Sequence, residues 1–199
     1  MSLPILVIAT RNRKKLEEMK YLLKGLKLDL KCLADFKKAP YPKEDGKSFL
    51  ENAAKKALCI GKFTYGFVLA EDSGLEIDAL NGAPGIYSSR FSGFSKDDFK
   101  NNLKILRLLG ATPQNKRKAR YQCAVVISRG NKIIFKTQSA CEGFIGYEFK
   151  GNFGFGYDPL FVIPEYNKTF AELGPKIKHA ISHRAKAFVK TKKFLSNQL

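Results

Sequence analysis

The sequence has no tryptophan, two histidines and four cysteines among its 199 residues. The cysteines, Cys32, Cys59, Cys123 and Cys141, show no CxxC spacing, so neither a zinc site nor a disulfide framework is indicated. No apolar run approaches the roughly 20 residues of a membrane helix. At the N-terminus the charges follow the apolar run, whereas a secretory signal has them in front. We therefore expect reduced cysteines, no targeting segment, no membrane partner and a cytoplasmic location.

Acidic side chains are also scarce. There are 18 of them against 36 basic ones, which gives a net charge of +18. Such an excess attracts anionic partners, although it does not separate nucleic acids from nucleotides. A lysine-rich solvated surface without a binding role is the alternative. The hydrophobic content of 44% is typical of a globular protein, and we expect a single domain over 1–199.

Helix and strand patterns alternate in the first half of the chain. Apolar runs and apolar–polar alternation predict strands at "PILVIAT" and "LKLDLKCLA", and a strand that ends in a turn at "FVLAEDSG". Apolar residues at helical spacing predict helices at 14–24 and at "SFLENAAKKALCIGKFTYG". Ser48 and Glu51 form a plausible capping box for the second of these helices.

The second half adds a hairpin and further helices. A helix is predicted at "KDDFKNNLKILRLLG", capped near Ser95, and a β-hairpin with Gly130 and Asn131 in its turn. A Gly-rich aromatic loop leads into a strand at "KGNFGFGYDPLFVIP". The end, "HAISHRAKAFVKTKKFL", is predicted as one helix with Ile181, Ala185, Phe188 and Val189 on one face. The whole pattern predicts an α/β fold with a mixed sheet.

Two adjacent carboxylates, Glu71 and Asp72, follow the apolar run Phe67–Ala70. A buried charge is costly unless it is paired, hydrogen-bonded or bound to a metal. Ligands in alternating α/β sheets gather at the carboxyl ends of strands, where this pair is expected to lie. Mg²⁺ is typically bound there by one or two carboxylates and substrate phosphates. The alternative is a turn in which Asp72 accepts from the amides of Ser73 and Gly74.

A polar loop, "TRNRKK", joins the first predicted strand to the first helix. Backbone N–H groups and the helix dipole favour phosphate at such a position. Thr10 and Asn12 supply short polar side chains, and Lys15 supplies a cation. The loop is not a P-loop, because it lacks the glycine-rich cradle and the GK[ST] ending. A helix cap with surface lysines is the alternative.

Two later segments have side chains suited to a nucleobase. "GFGYDP" places Phe155, Tyr157 and Asp158 in a glycine-rich loop, where an aromatic face can stack on a base and a carboxylate can accept from ring N–H groups. The alternative is an aromatic turn packed on the core. "KHAISHR" contains further donors, namely Lys178, His183 and Arg184. Their alternative is a polar helix surface.

The motifs occur in a specific order along nearly the whole chain: strand–TxNxxK, "ENAAKKA", "EDSGLEIDALNGAPG", "FGFGYDPLF" and "AISHR". This ordered set resembles the noncanonical purine nucleoside triphosphate pyrophosphatase family, also called inosine triphosphatase or Ham1-like, over roughly residues 5 to 190. The resemblance implies a mixed, twisted central sheet flanked by helices. It also implies two lobes with the active site in the cleft between them.

The resemblance implies an enzyme that hydrolyses ITP, dITP and XTP between the α- and β-phosphates with Mg²⁺. The products would be a nucleoside monophosphate and pyrophosphate. The family also implies a homodimer, for which the loop 81–94 is a possible contact. No specific nucleic-acid partner is expected.

By resemblance, each motif residue also has an implied role. The residues implied to contact the triphosphate are Thr10, Asn12, Lys15 and Lys56, and Ser73 is implied to contact the substrate beside Asp72. Phe155 would stack on the base, and Tyr157, Asp158, Lys178, His183 and Arg184 would line or close its pocket, with the last three helping to read the 6-keto oxygen. Asp72 would be catalytic, as metal ligand, general base or both. Glu44 would be the second metal ligand, with Glu51 and Glu71 as alternatives.

Two other functions remain open. A Maf-like pyrophosphatase would keep the chemistry but act on a pyrimidine nucleotide, whereas "SHR" and "FGYD" favour purines. A basic nucleic-acid-binding module would account for the charge and the aromatic residues. However, the sequence has no RNP-type strand, helix-turn-helix, zinc finger or KH loop to support it.

Overall fold

A seven-stranded mixed sheet forms the framework of the protein, for which a computed structural model describes residues 3–64, 66–93 and 96–198. The strand order is β2-β1-β3-β4-β5-β6-β7. The strands are β1 Ile5–Ile8, β2 Asp29–Cys32, β3 Phe67–Ile77, β4 Lys118–Arg129, β5 Lys132–Ile145, β6 Phe161–Ile163 and β7 Lys168–Thr169. Strand β1 pairs in parallel with β2 and β3, whereas β6 is antiparallel to β5 and β7. The predicted mixed sheet is therefore confirmed.

The α-helices are α1 Arg13–Leu23, α2 Phe49–Thr64, α3 Asp98–Leu109, α4 Phe170–Ile181 and α5 His183–Ser196. The first two lie close to their predicted bounds. Helix α3 is capped by Asp97, whose side chain accepts from the amide of Lys100, and Gly110 follows its last residue. The predicted cap, Ser95, lies outside the described residues. No helix in the described ranges is long and apolar enough to cross a membrane.

The chain divides into two compact units. The first comprises 1–72, 123–139 and 184–199, and the second comprises 73–122 and 140–183. Each unit has a core of its own. The first core includes Leu6, Met19, Leu69, Val125 and Phe188, and the second includes Leu75, Ile105, Tyr121, Tyr157 and Phe161. The single-domain assignment over 1–199 stays a prediction.

In the first unit, helix α2 meets the β4–β5 hairpin through a glycine. A Cβ on Gly61 would collide with the carbonyl oxygen of Gly130 in the hairpin turn. Ser128 donates to the carbonyl of Ala57 at 2.9 Å, which ties strand β4 to the same helix. This close approach holds α2 against the sheet, and α2 in turn carries Asn52 and Lys56.

The prediction that a strand ends at Glu71 and Asp72 was wrong. Strand β3 continues through both residues to Ile77. Only its first part pairs with β1, where Ile8 is opposite Leu69. The acidic pair therefore lies just beyond the end of the parallel β1–β3 ladder, but within a strand. The two carboxylates alternate across the strand, and each meets a different set of cations.

The predicted C-terminal helix is two helices. Ser182 is extended (φ −66°, ψ 162°), so α4 ends at Ile181 and α5 begins at His183. Ala185 and Phe188 are buried as predicted, but Val189 is 71% exposed. The start of α4 was missed, although "TFAE" at 169–172 is a capping-box signature and the structure forms both of its hydrogen bonds.

Candidate active site

Asp72 is buried next to two side chains of helix α2. Lys56 Nζ lies 2.9 Å from Asp72 Oδ1, and Asn52 Nδ2 lies 3.3 Å from Oδ2. Residues four apart share one helix face, so Asn52 and Lys56 both point at the same carboxylate. The predicted alternative for Asp72, a turn closed by the amides of Ser73 and Gly74, does not form because β3 continues.

Glu44 approaches the same ammonium group from the loop before α2. Its Oε1 lies 3.2 Å from Lys56 Nζ, and its side chain is 40% exposed. Burial alone would lower the pKa of Lys56, but the charges of Asp72 and Glu44 outweigh it and raise that pKa. Burial also raises the pKa of Asp72, against the opposing effect of Lys56 and Lys15. Two carboxylates thus converge on one cation.

The other two candidate metal ligands have different surroundings. Glu51 accepts from the amide of Lys47 at 2.6 Å, while its own amide donates to Ser48 Oγ at the start of α2. Only half of the predicted capping box forms, because the Glu51 side chain accepts from the amide of Lys47 and not from the amide of Ser48. Within the described ranges, no group of three or more His, Cys, Asp and Glu side chains could hold a metal ion. Glu44 and Asp72, which both pair with Lys56, are two carboxylates of the kind that hold Mg²⁺ when phosphates and water complete the coordination.

Glu71 is fully buried within an ion-pair network. Lys15 Nζ lies 3.0 Å from its Oε2, and Arg184 Nη2 lies 3.0 Å from its Oε1. The thiol of Cys123 contacts Oε1 at 3.5 Å, and Arg184 Nη1 also pairs with Glu18. Burial alone would lower the pKa of Arg184, but the carboxylates of Glu71 and Glu18 raise it. Glu71 therefore connects the first residues of α5 to the first turn of α1.

Thr10 and Asn12 form the start of helix α1. Asn12 Oδ1 accepts from the amide of Lys15 at 3.1 Å, and Thr10 Oγ1 accepts from the amide of Asn12 at 3.2 Å. The predicted cap is thus present. Asn12 is exposed and Thr10 is partly buried, so the loop presents the start of α1 to solvent. A capped helix start and a phosphate contact are compatible, because backbone N–H groups remain at the first turn.

In the second unit, Asp158 organises the aromatic loop 151–158. Its Oδ2 accepts from the amide of Phe155 at 2.8 Å and from Lys178 Nζ at 2.7 Å. The same Nζ lies 4.4 Å from the centroid of the Phe155 ring. Gly154 has φ +82°, and a Cβ there would collide with the Asp158 carboxylate. The sequence GFGYDP is therefore shaped around this carboxylate.

Tyr157 and His183 are buried in the same unit. The Tyr157 hydroxyl donates to the carbonyl of Ser88 at 2.6 Å, and burial raises its pKa. His183 stacks on Tyr121, with ring centroids 4.6 Å apart and planes inclined by 10°. Ser73 is partly buried and is the first residue of the second unit.

The predicted residues thus form two groups. The first unit contains Thr10, Asn12, Lys15, Glu44, Glu51, Lys56, Glu71, Asp72 and Arg184, and the second contains Ser73, Phe155, Tyr157, Asp158, Lys178 and His183. Sequence reasoning missed three participants, Asn52, Glu18 and Tyr121. The four-residue spacing from Asn52 to Lys56 was a usable signal. Nothing local marks Glu18 or Tyr121, because their partners are 166 and 37 residues away.

A sequence model of the Ham1 family matches residues 6–194. The chain belongs to the Ham1 family. A relative from Desulforamulus reducens, named "dITP/XTP pyrophosphatase", is 48% identical over 191 residues, covering 96% of this chain and 95% of the relative. A second relative with the same name, from Exiguobacterium sibiricum, is 43% identical over 194 residues, with 98% of each chain covered.

Solved structures agree with the Ham1 assignment. A HAM1 protein from Coxiella burnetii has a TM-score of 0.90 at 37% identity, covering 98% of this chain and 100% of that one. The Ham1 protein of Staphylococcus aureus has a TM-score of 0.88 at 34% identity, with the same coverage. The predicted family and the predicted sheet-and-helix fold of this Ham1-family chain are confirmed.

Proposed function

We propose that this Ham1-family chain hydrolyses dITP, XTP and ITP to the nucleoside monophosphate and pyrophosphate with Mg²⁺. One observation supports the use of Mg²⁺. The carboxylates of Glu44 and Asp72 converge on Lys56 Nζ, and such a carboxylate pair is suited to a hard cation. The names of the relatives support the base and the reaction. The reaction adds one water across the α–β phosphoanhydride, and pyrophosphate leaves.

The first unit would bind the triphosphate. Glu44 and Asp72 would hold Mg²⁺, which when bound neutralises phosphate charge and stabilises the leaving pyrophosphate. Asp72 would also accept the proton of the attacking water, which requires hydrogen-bond reach to that water. Lys15 and Lys56 would offset phosphate charge, and Thr10 and Asn12 would contact phosphate at the start of α1. Ser73 would contact substrate next to Asp72.

The second unit would bind the base. Phe155 is partly buried and offers a ring face, and Lys178 lies beside that ring as a donor for a 6-keto oxygen. Asp158 would orient both residues, and His183 would add a second donor. Tyr157 is buried, and its hydroxyl donates to the carbonyl of Ser88, so it would stabilise the aromatic loop. The resemblance implies that Arg184 helps to read the 6-keto oxygen, but it is buried with its terminal nitrogens on Glu18 and Glu71, so we propose that it acts through Glu71.

Product analysis tests the reaction. We expect pyrophosphate and monophosphate from dITP, XTP and ITP, little product from GTP, ATP, dTTP or UTP, and loss of activity with EDTA that Mg²⁺ restores. Orthophosphate with a diphosphate would contradict the assigned bond, and preference for dTTP or UTP would favour the Maf-like alternative.

Paired variants test the metal ligands. Glu44→Gln should raise the Mg²⁺ concentration needed for half-maximal activity, because one of two carboxylate ligands is lost. Glu51→Gln is the matched control, since Glu51 bonds the amide of Lys47. An equal effect of the two substitutions would remove Glu44 from the proposed site.

We also propose a homodimer and a cytoplasmic location. Exposed aromatic residues of the second unit, including Tyr87 and the stacked pair Phe99 and Phe149, are available for a subunit contact. Of the predicted contact loop 81–94, residue 94 lies outside the described residues. Light scattering of the purified chain would test the dimer. The cysteines are thiols, as expected in a reducing compartment, and cell fractionation would test the location.

A further inference from the structure

Tyr121 bonds the aromatic loop through its hydroxyl group. The residue lies on strand β4 and is 7% exposed. Its hydroxyl oxygen accepts from the amide of Tyr157 at 3.1 Å, and the hydroxyl donates to Asp158 Oδ1 at 3.4 Å. One hydroxyl has one proton and two lone pairs, so it can make both bonds at once. Tyr121 thereby contacts the carboxylate that also holds Phe155 and Lys178.

The ring of Tyr121 contacts the start of the last helix. It stacks on His183, with ring centroids 4.6 Å apart. It also packs against Phe161 and Phe170, with centroid distances of 4.7 Å and 6.2 Å. These neighbours restrict the ring to one orientation, as in a close-packed interior. Tyr121 therefore contacts the Asp158 carboxylate through its hydroxyl and the His183 imidazole through its ring face.

The rest of the aromatic loop is anchored separately. Asn102 Nδ2 donates to the carbonyl of Gly156 at 2.7 Å, and Asp98 Oδ2 accepts from the amide of Gly156 at 2.8 Å. These bonds from α3 hold the loop backbone, and neither reaches Asp158 or His183. Removing the Tyr121 hydroxyl would thus take away the bond to Asp158 Oδ1, while the bonds to Oδ2 and the bonds from α3 to the loop backbone remain.

We infer that Tyr121 is a positioning residue for base selectivity. It orients Asp158 and His183, and through Asp158 it orients Lys178 and Phe155, so that the donors face a 6-keto purine. This inference rests on the proposed function. Donors fixed in this way reject adenine strongly, because its 6-amino group would leave them unpaired. A looser arrangement would admit both bases, so the ratio between them is the quantity that Tyr121 sets.

The test compares three variants. Tyr121→Phe keeps the stack on His183 and removes both hydrogen bonds, whereas Tyr121→Leu removes the stack as well. Tyr147→Phe is the matched control, because it removes a hydroxyl in the same unit from a 54% exposed side chain that bonds the carbonyl of Thr112. The measurements are kcat and KM for dITP and dATP, thermal unfolding, and calorimetric binding of IMP and AMP without metal.

Tyr121→Phe should lower the dITP-to-dATP ratio of kcat/KM by about 10-fold, the effect of a hydrogen bond to a charged group. Most of the loss should appear in KM for dITP, and IMP binding should weaken without a matching loss for AMP. Tyr147→Phe should leave all of these values unchanged. Tyr121→Leu should reduce the ratio further, because it also frees His183.

The outcomes separate the inference from the proposed function. A wild-type protein that releases no pyrophosphate from dITP would overturn the function itself. If the wild type is selective and Tyr121→Phe keeps its dITP-to-dATP and IMP-to-AMP ratios, Tyr121 is a core residue only. A fall in the melting temperature with unchanged ratios likewise contradicts a positioning role, and binding of the monophosphates tests any variant whose turnover is too slow to measure.

Discussion

The adjacent residues Glu71 and Asp72 have different surroundings because successive side chains of a strand point to opposite faces. Asp72 contacts the ammonium of Lys56 and the side-chain amide of Asn52 on helix α2, and Glu71 contacts Lys15 and Arg184. The Glu71 side chain is fully buried between two cations, while the Asp72 side chain is 11% exposed next to the exposed Glu44. The surroundings of Glu71 are suited to stabilising the fold, and those of Asp72 are suited to binding an ion.

The two carboxylates should therefore respond differently to neutralisation. We expect Asp72→Asn to lower the rate of dITP hydrolysis by at least ~100-fold, in the range of general acid–base catalysis, with little change in unfolding free energy. Glu71→Gln should lower the unfolding free energy by about 3 kcal/mol, because it leaves buried cations without their partner. Urea unfolding and kcat/KM measure both. Equal stability losses in the two variants would contradict this division.

Among the elements, helix α4 has the best-defined start in the second unit. Thr169 Oγ1 accepts from the amide of Glu172 at 3.1 Å, and Glu172 Oε2 accepts from the amide of Thr169 at 2.7 Å. The helix is interrupted at Gly174 (φ 74°) before Pro175, and then reaches Lys178. The cap therefore stabilises the short first turn of the helix that presents Lys178 to Asp158.

The capping box of α4 should contribute a pH-dependent part of the stability. The hydrogen bond from the Thr169 amide lowers the pKa of Glu172 below its usual 4.5. A carboxyl group with a lowered folded-state pKa stabilises the protein above the unfolded pKa, and this contribution is lost as the pH falls through the folded pKa. Glu172→Gln should remove that part of the pH dependence. Thr169→Ala should cost about 1 kcal/mol at neutral pH.

Urea unfolding at a series of pH values from neutral to below 4.5 measures both effects. Glu165→Gln is a suitable control, since it neutralises an exposed carboxylate in the β6–β7 turn. If Glu172→Gln and Glu165→Gln alter the pH dependence equally, the capping box contributes nothing specific.

At the scale of the whole molecule, the charge is unevenly divided between the units. The first unit has 23 basic and 9 acidic side chains, net +14, and the second has 13 and 9, net +4. The unit that carries the proposed triphosphate contacts thus carries most of the +18. Such a field concentrates polyanions and raises their association rates.

This charge should make substrate capture sensitive to salt. We expect kcat/KM for dITP to fall as ionic strength rises, while kcat changes little, because screening weakens encounter and not the chemical step. DNA and RNA should bind only weakly and without sequence preference, with affinity that falls steeply with salt. A sequence-specific affinity that persists at about 0.2 M salt would favour the nucleic-acid-binding alternative.

Local patterns in the sequence were sufficient for most of the elements. The strands and helices up to residue 64 and the hairpin with its turn at Gly130 and Asn131 follow from periodicity and turn residues. Two errors have identifiable physical causes. The strand β3 continues through two charges because Lys56, Lys15 and Arg184 compensate them, and the last helix breaks because Ser182 adopts an extended backbone.

The sequence by itself determined the order of the elements, the residue types at the proposed site and membership in the Ham1 family. Periodicity is a property of neighbouring residues, and the order of the motifs can be read directly along the chain. Only the tertiary structure decided that Glu71 pairs with Lys15 and Arg184, and that Asp72 shares Lys56 with Glu44. The bonds from Glu71 to Lys15 and Arg184 join residues 56 and 113 positions apart. A carboxylate can pair with any of 36 cations, and only folding brings one particular cation within hydrogen-bond distance.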